Sequence, residues 1–122
     1  MEIPIDNPHS GSVYLITHPV YGSIIRKENV RIEEAVMTQE LSERFPEFIV
    51  KYYDYEDGNL FIEYVPSLEI RDDAHMLLVA RSLLRVIHSL HEAGYLHRDI
   101  CEDNMAVTED GVKLYDFDSI CR

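Results

Sequence analysis

Three polar side chains toward the C-terminal end of the sequence stand at spacings that chemistry can use. Asp99 follows His97 and Arg98, Asn104 comes five residues after it, and Asp116 opens the triplet Asp116-Phe117-Asp118. A tight loop between Asp99 and Asn104 brings a carboxylate and an amide to one point. The turn at Glu109-Asp110-Gly111 folds 112–115 back beside 105–108, which returns Asp116 to the same place. Such a set suits phosphoryl transfer. One carboxylate receives the proton of an attacking hydroxyl, while an amide and a second carboxylate hold Mg²⁺ against phosphates. The bland alternative is a polar loop with charges scattered by chance; two motifs falling in order weigh against it.

The rest of the chain must supply elements that position this set. The runs 12–17 (SVYLIT) and 21–27 (YGSIIRK) are rich in β-branched and aromatic residues and predict an antiparallel pair. On the second strand Ile25 and Lys27 share a face, and Arg26 points the other way. The spacing of Ile32, Ala35, Val36 and Leu41 predicts a helix over 31–44, with Asn29 as its cap and Glu33-Glu34 in its first turn. Two further strands, 48–55 and 59–65, flank the turn Glu56-Asp57-Gly58. A long helix over 72–93 starts at Asp72 or Asp73 and stops at Gly94. Its apolar residues, among them Met76, Leu77, Val79, Leu83, Leu84, Val86, Ile87 and Leu90, spread over about half the circumference, where a surface helix needs roughly 100°. This predicts packing on two sides. His88, His91 and His97 have no spacing with cysteine that would make a metal site.

The order His97-Arg98-Asp99-x-x-x-x-Asn104, then Asp116-Phe117-Asp118, resembles the catalytic loop and the magnesium loop of the protein kinase superfamily, H-R-D-x-x-x-x-N followed by D-F-G. The resemblance implies an α+β, two-lobed kinase-like fold. Residues 1–65 would form the first lobe, a small antiparallel sheet with one helix, and 66–122 a truncated helical second lobe. It assigns ATP and Mg²⁺ as cofactors. Asp99 would take the acceptor proton, Asn104 and Asp116 would ligate Mg²⁺, and Lys27 would clamp the ATP phosphates. Glu34 is preferred to Glu33 as the partner of Lys27, because it sets Met37 and Leu41 at the apolar positions three and seven residues on. Gly11 and Val13 resemble the end of the glycine-rich loop, whose first two glycine positions fall here on Asp6 and Pro8. The run 48–65 resembles the hairpin and hinge that hold adenine, with Ile62 as gatekeeper. The Glu63 carbonyl and the Val65 N–H would make the adenine contacts. Cys101 stands where the family usually has lysine, and D-F-D replaces D-F-G, a form also seen in small-molecule phosphotransferases and in divergent fungal kinase-like proteins. The resemblance covers only the first part of the family's domain, so the activation segment and the later helices are expected to be missing.

Composition narrows the partners. Eleven basic against 23 acidic residues give a net charge of −12, which disfavours nucleic acid and anionic membrane. Cys101 and Cys121 make no framework and are expected as reduced thiols in a cytoplasmic, soluble protein. The N-terminal residues lack the pattern of a signal peptide. The reading that follows is an ATP- and Mg²⁺-dependent phosphotransferase acting on a hydroxyl. Its rival is an inactive kinase mimic that binds other proteins. Either way the surplus apolar surface of the 76–90 helix implies a homodimer or a partner protein.

Overall fold

The structure, a computed structural model, describes residues 2–5, 13–94, 96–97, 105–115 and 120–121. A small antiparallel sheet and two helices make an α+β chain that divides into two compact units, Met1–Tyr64 and Val65–Arg122.

In the first unit five strands pair in the order β1-β2-β3-β5-β4: β1 (Glu2–Ile5), β2 (Val13–His18), β3 (Gly22–Lys27), β4 (Tyr52–Glu56) and β5 (Asn59–Glu63). Every neighbouring pair is antiparallel. At the β2–β3 turn, His18 Nδ1 accepts from the N–H groups of Val20 and Tyr21. The β4–β5 turn has positive φ at Asp57 (51°) and Gly58 (80°), the backbone of a two-residue hairpin loop whose twist matches the strands. Register places Val13, Leu15, Ile25, Lys27, Leu60 and Ile62 on one face of the sheet. Helix α1 (Ile32–Arg44) turns Glu34, Ala35, Thr38, Leu41 and Ser42 inward. Ile24, Leu41, Ile49 and Leu60 are fully buried.

Three expectations need correction here, and one strand is added. Asn29 is not the cap of α1. It adopts left-handed backbone (φ 58°), which asparagine tolerates, and the helix starts after Arg31 without a side-chain cap. The strand expected from 48 begins at Tyr52. Phe45 ends α1 ahead of Pro46, and Phe48 and Ile49 donate their N–H groups back to the Phe45 carbonyl, so the apolar run closes a turn first. The strand expected to reach Val65 stops at Glu63. β1 was not anticipated at all; its short run Glu2–Ile5 gains its order by pairing with β2.

In the second unit, helix α2 (Asp73–Glu92) is capped by Asp72, whose Oδ1 accepts from His75 N at 2.8 Å. Gly94, with φ of 88°, follows its last turn. His75, Val79, Val86 and Leu90 form a single buried stripe. The hairpin of β7 (Met105–Val107) and β8 (Val112–Leu114) packs against it, with Ala106 and Leu114 fully buried. β6 (Leu96–His97) pairs antiparallel with β9 (Ile120–Cys121). Along β7, Leu68 N donates to Val107 O and Val107 N donates to Ser67 Oγ.

The hairpin meets α2 closely at Gly111. A Cβ built there would overlap Ser82 Oγ and Cβ, while Val112 N donates to Ser82 Oγ at 3.1 Å. Gly111→Ala is therefore expected to cost about 1–3 kcal/mol by overpacking. Urea denaturation would read this as a lower midpoint; an unchanged midpoint would mean that the hairpin shifts freely on the helix.

Candidate functional site

Lys27 and Glu34 are brought together. Lys27 ends β3, opposite Val13 on one side and Leu60 on the other, so its side chain emerges on the face that carries Ile25 and Ile62. Glu34 sits in the first turn of α1. The left-handed turn at Asn29 reverses the chain between the two elements. Val30 then locks the approach to α1 onto the β4–β5 hairpin: its N–H donates to Gly58 O at 2.9 Å, and its carbonyl accepts from Tyr55 Oη at 2.6 Å. The result is an ion pair of 2.7 Å between Lys27 Nζ and Glu34 Oε2, with the side chains 7% and 3% exposed. Glu33 lies on the exposed side of the same turn. Thr38 Oγ1 donates to Glu34 O at 2.8 Å.

Taking two charges out of water is costly, and each charge offsets part of the other's cost. A lysine fixed in this way presents a placed positive charge on a protein of net charge −12. That arrangement can hold an anion such as a phosphate. Val13, 9% exposed, stands directly across from Lys27 and forms part of the same face.

Glu63 is the last residue of β5, opposite Ile24. Its N–H donates to Lys51 O at 2.8 Å and its Oε1 accepts from Lys51 N at 3.0 Å, so the side chain fastens the strand end to the segment before β4. Nearby, Tyr53 stacks on Tyr21 at 4.3 Å. Burial first, then the charge of Glu63 and the neighbouring Tyr21, push the Tyr53 phenol above its ordinary value. Val65 follows β5 outside any regular element and is half-buried.

Gly11, Asp99, Asn104 and Asp116 lie outside the described residues, as does Cys101. What is described is the backbone that frames them. The segment 98–104 leaves β6 at His97 and joins β7 at Met105; the segment 115–119 leaves β8 at Leu114 and joins β9 at Ile120. His97 pairs with Ile120, and Met105 pairs with Leu114. The two segments therefore begin and end at paired residues.

Sequence reasoning passed over Ser42 and His75, both buried polar side chains. Ser42 Oγ accepts from Tyr52 N at 3.0 Å and so joins α1 to the start of β4. A serine on the inner face of a helix that ends two residues later was the available signal. His75 occupies the buried stripe of α2 at the spacing of Val79, and the helical period alone would have placed it there.

No protein-family model matches the chain. Individual curated proteins do. The chain is 35% identical over 123 residues to the serine/threonine-protein kinase LATS2 of Mus musculus, taking in 84% of this chain and 12% of the relative. Over 86 residues it is 33% identical to the probable serine/threonine-protein kinase ndrB of Dictyostelium discoideum, 59% of this chain and 16% of the relative. Over 101 residues it is 32% identical to the serine/threonine-protein kinase STE20 of Eremothecium gossypii, 75% of this chain and 10% of the relative. The chain is related to the protein kinase superfamily. It spans between 10% and 16% of the length of these relatives, so the similarity concerns one segment of each. Among the described residues no helix is long and apolar enough to cross a membrane.

Proposed function

We propose that the chain is a compact kinase-like phosphotransferase module that binds ATP with Mg²⁺ and passes the γ-phosphate to a hydroxyl acceptor. The observation that carries this reading is the buried Lys27–Glu34 pair at 2.7 Å, in a chain related to kinases. In this reading Lys27, oriented by Glu34, neutralises phosphate charge, and Gly11 and Val13 cover the phosphates. The Glu63 carbonyl and the Val65 N–H receive the adenine edge. Asp99 accepts the proton of the attacking hydroxyl, and Asn104 and Asp116 hold the metal. The paired ends of the segments carrying Asp99, Asn104 and Asp116 support their acting at one place. The fold assignment that accompanies this function is the two-lobed kinase-like one, with 1–65 and 66–122 as its parts, in a reducing cytoplasmic setting.

The second reading, a protein-binding kinase mimic, is favoured by the apolar side chains that α2 leaves exposed, Leu77 and Leu84 among them. Isothermal calorimetry with ATP separates the two. The phosphotransferase reading expects heat with Mg²⁺ that is lost without the metal and lost in Asp116→Ala. No heat from the wild type under either condition would leave the mimic.

A further inference from the structure

Helix α1 starts at Arg31 without the side-chain hydrogen bond that commonly fixes a helix end. The residue before it, Val30, is buried, and both of its backbone groups are taken by the β4–β5 hairpin: the N–H by Gly58 O at 2.9 Å, the carbonyl by Tyr55 Oη at 2.6 Å. The Arg31 carbonyl then accepts from Glu34 N at 3.1 Å and Ala35 N at 3.2 Å, so Glu34 lies about one turn beyond the clamp. Register explains why Tyr55 can make it. Val13, Lys27, Leu60 and Tyr55 stand opposite one another across β2, β3, β5 and β4 and form a single row. Residues paired in this way point to one face of a sheet. Lys27 and Tyr55 therefore rise from the same face two strands apart, roughly 10 Å. One holds Glu34 and the other holds the approach to the same helix.

We infer that Tyr55 is a positioning residue for Lys27. Its hydroxyl fixes the start of α1, and through that helix it fixes the Glu34 carboxylate that orients the Lys27 ammonium. The other bond to Val30 runs from backbone to backbone, so the phenol is the part of the clamp that a side-chain change can remove. Without it the Val30 carbonyl loses its donor, and the first turn of α1 gains freedom to move away from β3. A hydrogen bond that only added stability would, when lost, weaken the whole unit evenly. A positioning bond loosens α1 and frees Lys27 while the sheet stays closed. The consequence for ATP rests on the proposed phosphotransferase function; the consequence for Lys27 does not.

Tyr55→Phe in the full chain tests it, since it removes the hydroxyl and keeps the ring. Acylation by an amine-selective reagent, followed at each lysine by mass spectrometry, reads how firmly Lys27 is held. The exposed Lys51 serves as internal reference. In Tyr55→Phe, Lys27 is expected to react roughly three- to tenfold faster, the worth of one hydrogen bond, with Lys51 unchanged. Amide exchange should rise at Glu34 and Ala35 and stay at the wild-type level across β2 and β3. Mg²⁺-dependent ATP affinity should fall by up to the same factor, because the binding-competent position of Lys27 is then less populated. Unchanged acylation of Lys27 overturns the inference. So does faster acylation matched by equal loss of protection in β2 and β3, which marks a bond that serves stability alone. A wild type that binds no ATP removes the phosphotransferase reading and leaves acylation and exchange to decide on Tyr55.

Discussion

Glu34→Ala is expected to destabilise the first unit by about 3–5 kcal/mol, the usual cost of removing one partner from a buried ion pair. The substitution strips Lys27 of the carboxylate 2.7 Å from its Nζ while leaving the ammonium on a side chain 7% exposed. Lys27→Met keeps most of the stem's volume but leaves the Glu34 carboxylate in the same interior, and its cost should be similar. The double variant Lys27→Met with Glu34→Leu removes both charges at once. Replacing a buried pair by apolar side chains of like volume is often near neutral, so the double variant should recover most of the lost stability. Urea denaturation of the four proteins gives the coupling directly. Against a total of about 5–15 kcal/mol for a domain, each single variant loses a large share of its stability. ATP binding separates stability from function. In the proposed function the double variant folds yet binds ATP no better than either single variant, since no charge remains at position 27. A double variant that binds ATP as the wild type does would remove Lys27 from the site.

The pair also marks how much of the site can be read along the chain. Strand alternation places Lys27 on the face of Ile25, and the helical period of α1 turns Glu34 rather than Glu33 inward; both are local patterns. Their meeting also needs the reversal at Asn29 and the clamp on Val30, which belong to tertiary structure. The same division runs through the fold. The β4–β5 turn is legible because Asp57-Gly58 demands positive φ, and the ends of α2 are legible because Asp72 and Gly94 have the chemistry of a cap and a stop. β1 has no such signal, since its order comes from β2. The run 48–50 is apolar because Ile49 and Val50 are buried in the core, and periodicity over so few residues cannot tell a buried turn from a strand. Apolar character likewise does not say which leucines of α2 the chain covers. Leu90 is buried and Leu84 is 68% exposed, though both belong to the same hydrophobic run.

His75 carries the second large effect. It is 1% exposed and its ring is committed at both nitrogens: Nδ1 accepts from Arg71 N at 3.2 Å, and Nε2 lies 2.8 Å from Thr108 O. An acceptor at Nδ1 leaves the ring proton on Nε2, which therefore donates to the Thr108 carbonyl. One side chain thus ties the start of α2 to the turn of the β7–β8 hairpin. The exposed Arg71–Glu109 bridge, 3.1 Å, spans the same junction, but in water such a pair adds little. His75→Ala is expected to cost about 3–4 kcal/mol. It orphans the Arg71 donor and the Thr108 acceptor at about 1–3 kcal/mol for each group left unsatisfied, and it opens a cavity beside Val79. His75→Gln should cost less, because its amide NH₂ can reach the place of Nε2 and donate to Thr108 O. Amide hydrogen exchange discriminates further. The β7–β8 hairpin should lose protection in His75→Ala and keep most of it in His75→Gln, while the β2–β3 strands of the first unit keep theirs. Met105 and Leu114, the paired residues from which the segments of Asn104 and Asp116 depart, belong to that hairpin. In the proposed function, its loosening should weaken Mg²⁺-dependent ATP binding in His75→Ala. Equal exchange in all three proteins would show that the hairpin is held on α2 by Ser82 and its buried apolar residues alone.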